Sequence, residues 1–207
     1  MVDPSRTGFA ERVIRCVTGL ALFGTGITLF LRADLGLPSW DVFHKGVADK
    51  ADVALGTVII VTGVALLLLW IPLRQRPGLG TILNAVEIGL VVNLTKPIIG
   101  SPDHPVGRAA LMLAGLLLVG FGSAVYIGAG LGPGPRDGLM MGLAERGVSI
   151  RVARTAVEVV VLVVGIALGG SFGVGTVVFT FGIGPLVQRL LPVFDRREPT
   201  TVARADL

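Results

Sequence analysis

The chain has 207 residues, 52% apolar and only 15% charged, with a formal net charge of +4 and a mean hydropathy of +0.81. Soluble globular domains carry about 25% charged residues, so this composition excludes one. The single cysteine, Cys16, excludes an intrachain disulfide, and the two histidines, His44 and His104, stand too far apart to suggest a metal cage. No cofactor loop is expected either.

The chain opens with Arg6, Arg12 and Arg15 ahead of an apolar run. A signal peptide would need small residues at a cleavage site, whereas Phe30, Leu31, Arg32, Ala33 and Asp34 follow, so the run is read as a retained span. Six apolar stretches are predicted as membrane helices, at 13–33, 53–73, 79–99, 108–130, 149–170 and 172–192. Each has about the 20 residues that a crossing takes. Between the first and second, Leu35-Gly36-Leu37-Pro38-Ser39-Trp40-Asp41 breaks the helix and restarts it over a short segment, 36–50. Leu131-Gly132-Pro133-Gly134-Pro135-Arg136-Asp137 does the same for 132–147. Both segments are too short to span. They are expected to form interfacial caps or re-entrant helices whose N-termini point into a polar cavity.

The chain repeats itself. A shift of 96 lays Gly19 on Gly115, Gly26 on Gly122, Leu35-Gly36 on Leu131-Gly132 and Asp41 on Asp137. A shift of 95 then lays Gly78-Leu79-Gly80-Thr81 on Gly173-Val174-Gly175-Thr176. With three spans in each copy, the second copy must run the opposite way through the bilayer. The expected architecture is therefore an all-α membrane protein, six transmembrane helices as two inverted three-helix repeats. Residues 1–12 form a cytoplasmic segment, 13–99 the first repeat, 108–192 the second, and 193–207 a cytoplasmic tail. Orientation follows from Lys and Arg, 13 on the segments then inside and 5 on those outside. The basicity is thus read as topology in a bacterial plasma membrane, with the lipid bilayer as partner and no nucleic acid.

Candidate site residues are the charged and amide groups inside these stretches. Glu87 lies near the middle of the third, with Asn84 one turn earlier on the same face. A carboxylate at that depth is costly unless paired, protonated or wet, so Glu87 is the favoured proton-coupling or solute-contacting group, against a purely structural role. Asp41 and Asp137 sit at the starts of the two short helices, with Arg136 beside the latter, and read either as caps or as cavity groups. Arg154 and Glu158 are spaced for an ion pair, although Arg154 could instead answer Glu87. Trp40 is expected to anchor at the membrane interface. The Gly-x-Gly-Thr segments lack a Walker lysine, so no nucleotide site is expected.

Two groups of residues carry a resemblance: Leu35-Gly36-x-Pro38-x-Trp40-Asp41-Val42 with His44 and Gly46, and Gly132-x-Gly134-Pro135-Arg136-Asp137-Gly138-Leu139-Met140. With Arg154-x-x-x-Glu158, Gly169-Gly170, Gly173-x-Gly175-Thr176 and Ile183-Gly184-Pro185, the chain resembles the YczE-like group of bacterial integral membrane proteins, usually grouped with YyaS and YitT, over residues 13–192. The pattern departs at Pro38-Ser39-Trp40, where proline directly before tryptophan is expected. The resemblance implies a fold and a location, and no activity. Two functions compete: a small-solute transporter or permease, and a scaffold or regulatory partner of another membrane protein, as a homo-oligomer or with a different chain. An enzyme is not expected, because no nucleophile stands beside a base.

Overall fold

The computed structural model describes residues 8–195. Residues 1–7 and 196–207, which include Arg6, Arg196, Arg197 and Arg204 of the orientation count, lie outside the described residues. The described chain is all-helical: α1 (Phe9–Ala33), α2 (Ser39–Ala51), α3 (Leu55–Leu73), α4 (Leu79–Thr95), α5 (Pro105–Gly128), α6 (Pro135–Ala144), α7 (Ile150–Ala167) and α8 (Val174–Phe194). Each apolar stretch and each short segment of the sequence reading holds one helix. Four helices, α1, α3, α5 and α8, are long and apolar enough to cross a membrane. The 17-residue α4 is apolar but shorter, and α7 carries Arg151, Arg154 and Glu158.

Boundaries follow local chemistry. The start of α5 moves back to Pro105, which needs no partner for its missing N–H, and the His104 side chain accepts a hydrogen bond from the Gly107 N–H at 2.9 Å. The third stretch ends at Thr95 instead of 99, with residues beyond it in turns.

The centre of the bundle is the pair α1 and α5. They run antiparallel, since Gly19 meets Gly122 while Gly26 meets Gly115. A Cβ on Gly19 would lie 2.8 Å from the Gly122 carbonyl oxygen, and one on Gly26 would lie 2.9 Å from that of Gly115. Membrane helices gain little from apolar association, so this close backbone approach supplies the packing. Arg12 at the start of α1 donates to the Ala129 and Gly130 carbonyls at 2.8 and 2.5 Å, just past the end of α5. Reciprocally, Arg108 at the start of α5 reaches Asp34, which caps α1, at 3.4 Å.

A second reciprocal contact joins the breaks to the starts of distant helices. Gly175 N–H donates to the Leu35 carbonyl at 2.7 Å, and Gly80 N–H donates to the Leu131 carbonyl at 2.8 Å. Gly36 and Gly132 take φ of 105° and 122°, a left-handed conformation that favours glycine. The segment after α1 therefore seats the start of α8, and the segment after α5 seats the start of α4. Around this core, α4 packs on α1, α8 on α5, α2 on α7 and α6 on α3.

Candidate functional site

The short helices are wedged among the long ones. Trp70 Nε1 on α3 donates to the Pro135 carbonyl at 2.9 Å, fixing the start of α6. On α7, Gly165 admits the Phe43 backbone of α2. Ser39, Trp40, Asp41, Val42 and His44 are all buried. The N-termini of α2 and α6 thereby meet in the interior, and the Arg136 guanidinium lies over the Trp40 ring, 4.7 Å from its centroid. A cation on an indole face is an attractive pair when desolvated. Trp40, expected as an interface anchor, is instead 7% exposed beneath this cation. The correction follows from α2 entering the bundle rather than lying on the membrane surface.

Beside this pair lies a cavity of about 660 Å³, bordered by residues of all eight helices. It sits at the level of Gly63 in α3, Asn84 in α4, Glu158 in α7 and Gly184 in α8, close to the middle of each. Of the residues singled out in the sequence, Asn84, Arg136, Asp137, Arg154 and Glu158 border it. The charges carry both signs. Arg154 pairs with Glu158 at 3.4 Å, and this partner, not Glu87, answers it. Asp137 accepts the Gly134 N–H at 3.2 Å and so caps α6 while facing the cavity. Arg136 forms no hydrogen bond or ion pair with another described residue.

Asp41, the counterpart of Asp137, does not border the cavity. It is 1% exposed, and its Oδ1 lies 3.0 Å from His44 Nδ1. His44 does border the cavity, and its Nε2 is buried without a partner among the described residues. An orphaned buried polar atom is costly, so it marks a place where a partner belongs. Glu87 does not border the cavity either. It is half-buried on α4, on the side where it feels Cys16 of α1.

Sequence reasoning missed His44 and the α8 stripe of Thr180, Gly184 and Gln188, all on the cavity wall. The spacing of His44 three residues after Asp41 was the available signal for the first. The i, i+4, i+8 spacing of small and polar residues was the signal for the second.

An all-helical bundle with several apolar spans and a buried, charged cavity defines the class: this is a helical membrane protein. The chain belongs to a family of unknown function, DUF6198, whose model matches residues 10–192, and it is a YczE-like member of it. It is 32% identical over 178 residues to the uncharacterized membrane protein YczE of Bacillus subtilis, covering 84% of this chain and 82% of that one. An uncharacterized protein of Haemophilus influenzae is 39% identical over 178 residues, covering 86% and 82%. The uncharacterized protein YyaS of Bacillus subtilis is 25% identical over 185 residues, covering 86% and 91%. No solved structure matches the chain.

Proposed function

We propose that the protein is a small-solute transporter of the bacterial plasma membrane, built as two inverted three-span repeats with both termini cytoplasmic. The observation that carries this reading is the cavity, about 660 Å³, with Arg136, Asp137, Arg154 and Glu158 on its wall at the middle of the bundle. Burying a charge at the centre of a membrane helix costs about 2.5–3.5 kcal/mol on insertion scales, so the Arg136 and Asp137 charges on one inner wall favour a polar occupant. A scaffold needs no such space.

The reciprocal contacts support the inverted repeat. Gly19 on Gly122 and Gly115 on Gly26 are one contact made twice at positions 96 apart, as a two-fold axis requires. The same holds for Leu35 with Gly175 and Leu131 with Gly80. Antiparallel α1 and α5 fit opposite passage through the bilayer.

Two experiments test the reading. Reporter fusions after residues 104 and 207 should signal periplasm and cytoplasm respectively, and the reverse at either site removes the topology. Proteoliposomes should accumulate at least one of radiolabelled glycine, glutamate and acetate, with Arg136→Gln abolishing uptake. Equal retention by protein-free vesicles for all three would leave the scaffold reading in its place.

A further inference from the structure

The two helical hairpins that flank the cavity differ in one respect that bears on what enters it. In the first, α3 packs along α4, with Gly63 so close to Ala85 that a Cβ on it would lie 3.0 Å from the Ala85 Cα, and with the Gly56 N–H donating to Asn93 Oδ1 at 2.9 Å. In the second, α7 and α8 barely touch. Aligned on their N-cap residues, Ala54 and Ser149, Gly56, Ile59 and Gly63 of α3 correspond to Arg151, Arg154 and Glu158 of α7. Gly89 of α4 corresponds to Gly184 of α8 by the same shift. Long charged side chains therefore stand where glycines close the first hairpin. A Cβ on Gly184 would meet nothing within 4 Å.

On the side of α7 and α8 the cavity reaches between helices whose backbones stay apart. Its walls are polar, Arg154 and Glu158 on one helix and Thr180, Gly184 and Gln188 on the other. Next to them the helices turn apolar faces outward, with Val159 52% and Phe181 76% exposed. A polar lane opening between apolar surfaces matches a molecule that is itself charged at one end and apolar at the other.

We infer that the cavity takes the anionic head group of a bilayer amphiphile, carboxylate or phosphate, which enters sideways between α7 and α8 and leaves its apolar chain in the membrane. This deepens the transporter reading and rests on its assignment of the cavity as the solute site. Arg136 supplies an unpaired guanidinium for the anion. His44 Nε2, orphaned at the cavity wall, supplies a second polar contact. Trp40, under the guanidinium, holds it in place.

The test measures binding, apart from flux, on the purified chain in micelles of an uncharged detergent, titrated with laurate or with acetate while thermal unfolding is followed. Laurate should raise the unfolding midpoint at concentrations at least about tenfold below those acetate needs. Arg136→Gln should abolish the shift with both, and Arg136→Lys should restore part of it. Gly184→Trp, placed in open space between α7 and α8, should fold normally and weaken the laurate response about tenfold, with a smaller effect on the acetate response. Equal potency of laurate and acetate would assign the site to a free anion and overturn the sideways entry. So would a Gly184→Trp protein that responds to laurate as the parent does. Laurate binding without uptake by proteoliposomes would remove transport and leave this inference standing.

Discussion

The hairpins α3–α4 and α7–α8 are built to one plan and end differently. Each starts on an extended cap, Ala54 or Ser149, and each second helix starts at a Gly-x-Gly-Thr segment whose threonine oxygen accepts the N–H of the first glycine at 3.2 Å. The contrast lies on one helix face. Glycines on α3 let two backbones touch, whereas charged side chains occupy the equivalent positions on α7 and the α7 and α8 backbones stay apart. In a bilayer, where apolar surface gains little by meeting other apolar surface, a few residues on one stripe decide whether a helix pair is a wall or an opening.

The sharpest way to break this comparison is to overfill the closed hairpin. Gly89→Leu drives a side chain into the Gly56 backbone, and overpacking of this kind should cost about 3 kcal/mol in denaturant unfolding. Gly184→Leu, its counterpart in position on the open side, should stay within about 0.5 kcal/mol of the parent. Equal losses at the two sites would mean that both hairpins are closed. A smaller effect is expected at Asn93, whose side chain binds the Gly56 N–H across α3 and α4. Asn93→Ala should lose about 0.5–1 kcal/mol, while Gln188→Ala at the equivalent place should lose nothing measurable.

A graft sharpens the comparison from the other side. Arg151→Gly, Arg154→Ile, Glu158→Gly and Thr180→Ala together give the second hairpin the residues of the first. Spin labels at Val163 and Val177 should then report α7 and α8 moving toward the roughly 8–10 Å separation of packed helices. An unchanged separation would show that the opening is set elsewhere, by the α2–α7 contact. The smallest effect is expected at Glu87. Because it lies off the cavity wall, Glu87→Gln should keep the laurate response of the parent and unfold within about 0.5 kcal/mol of it.

Glu87 also marks what could be read from the sequence. Its place at the middle of a helix was legible from position along an apolar run, and that place made it the favoured group. Its azimuth was not legible, because α4 is apolar nearly all round and no hydrophobic stripe says which side faces inward. By contrast, Leu35-Gly36 and Leu131-Gly132 announced two helix breaks, and Pro38 and Pro135 announced two restarts, because glycine and proline act on their own backbone. The Arg136–Trp40 pair was invisible for the opposite reason. It joins residues far apart in the chain, and each side chain alone has an ordinary reading. The ion pair Arg154–Glu158 could be read because both partners sit on one helix, one turn apart.

Arg136 over Trp40 has a further consequence on the two-copy reading, for these residues occupy the same position in their copies. A residue on the axis of a symmetric dimer faces its own duplicate, so two separate identical chains could offer there only tryptophan against tryptophan or arginine against arginine. Joining both copies in one polypeptide releases that restriction. One copy has kept an aromatic platform and the other a cation, a heterotypic pair that no homodimer could encode. Fusion of a duplicated gene would in this way have let a cation and an aromatic ring meet at the middle of the protein.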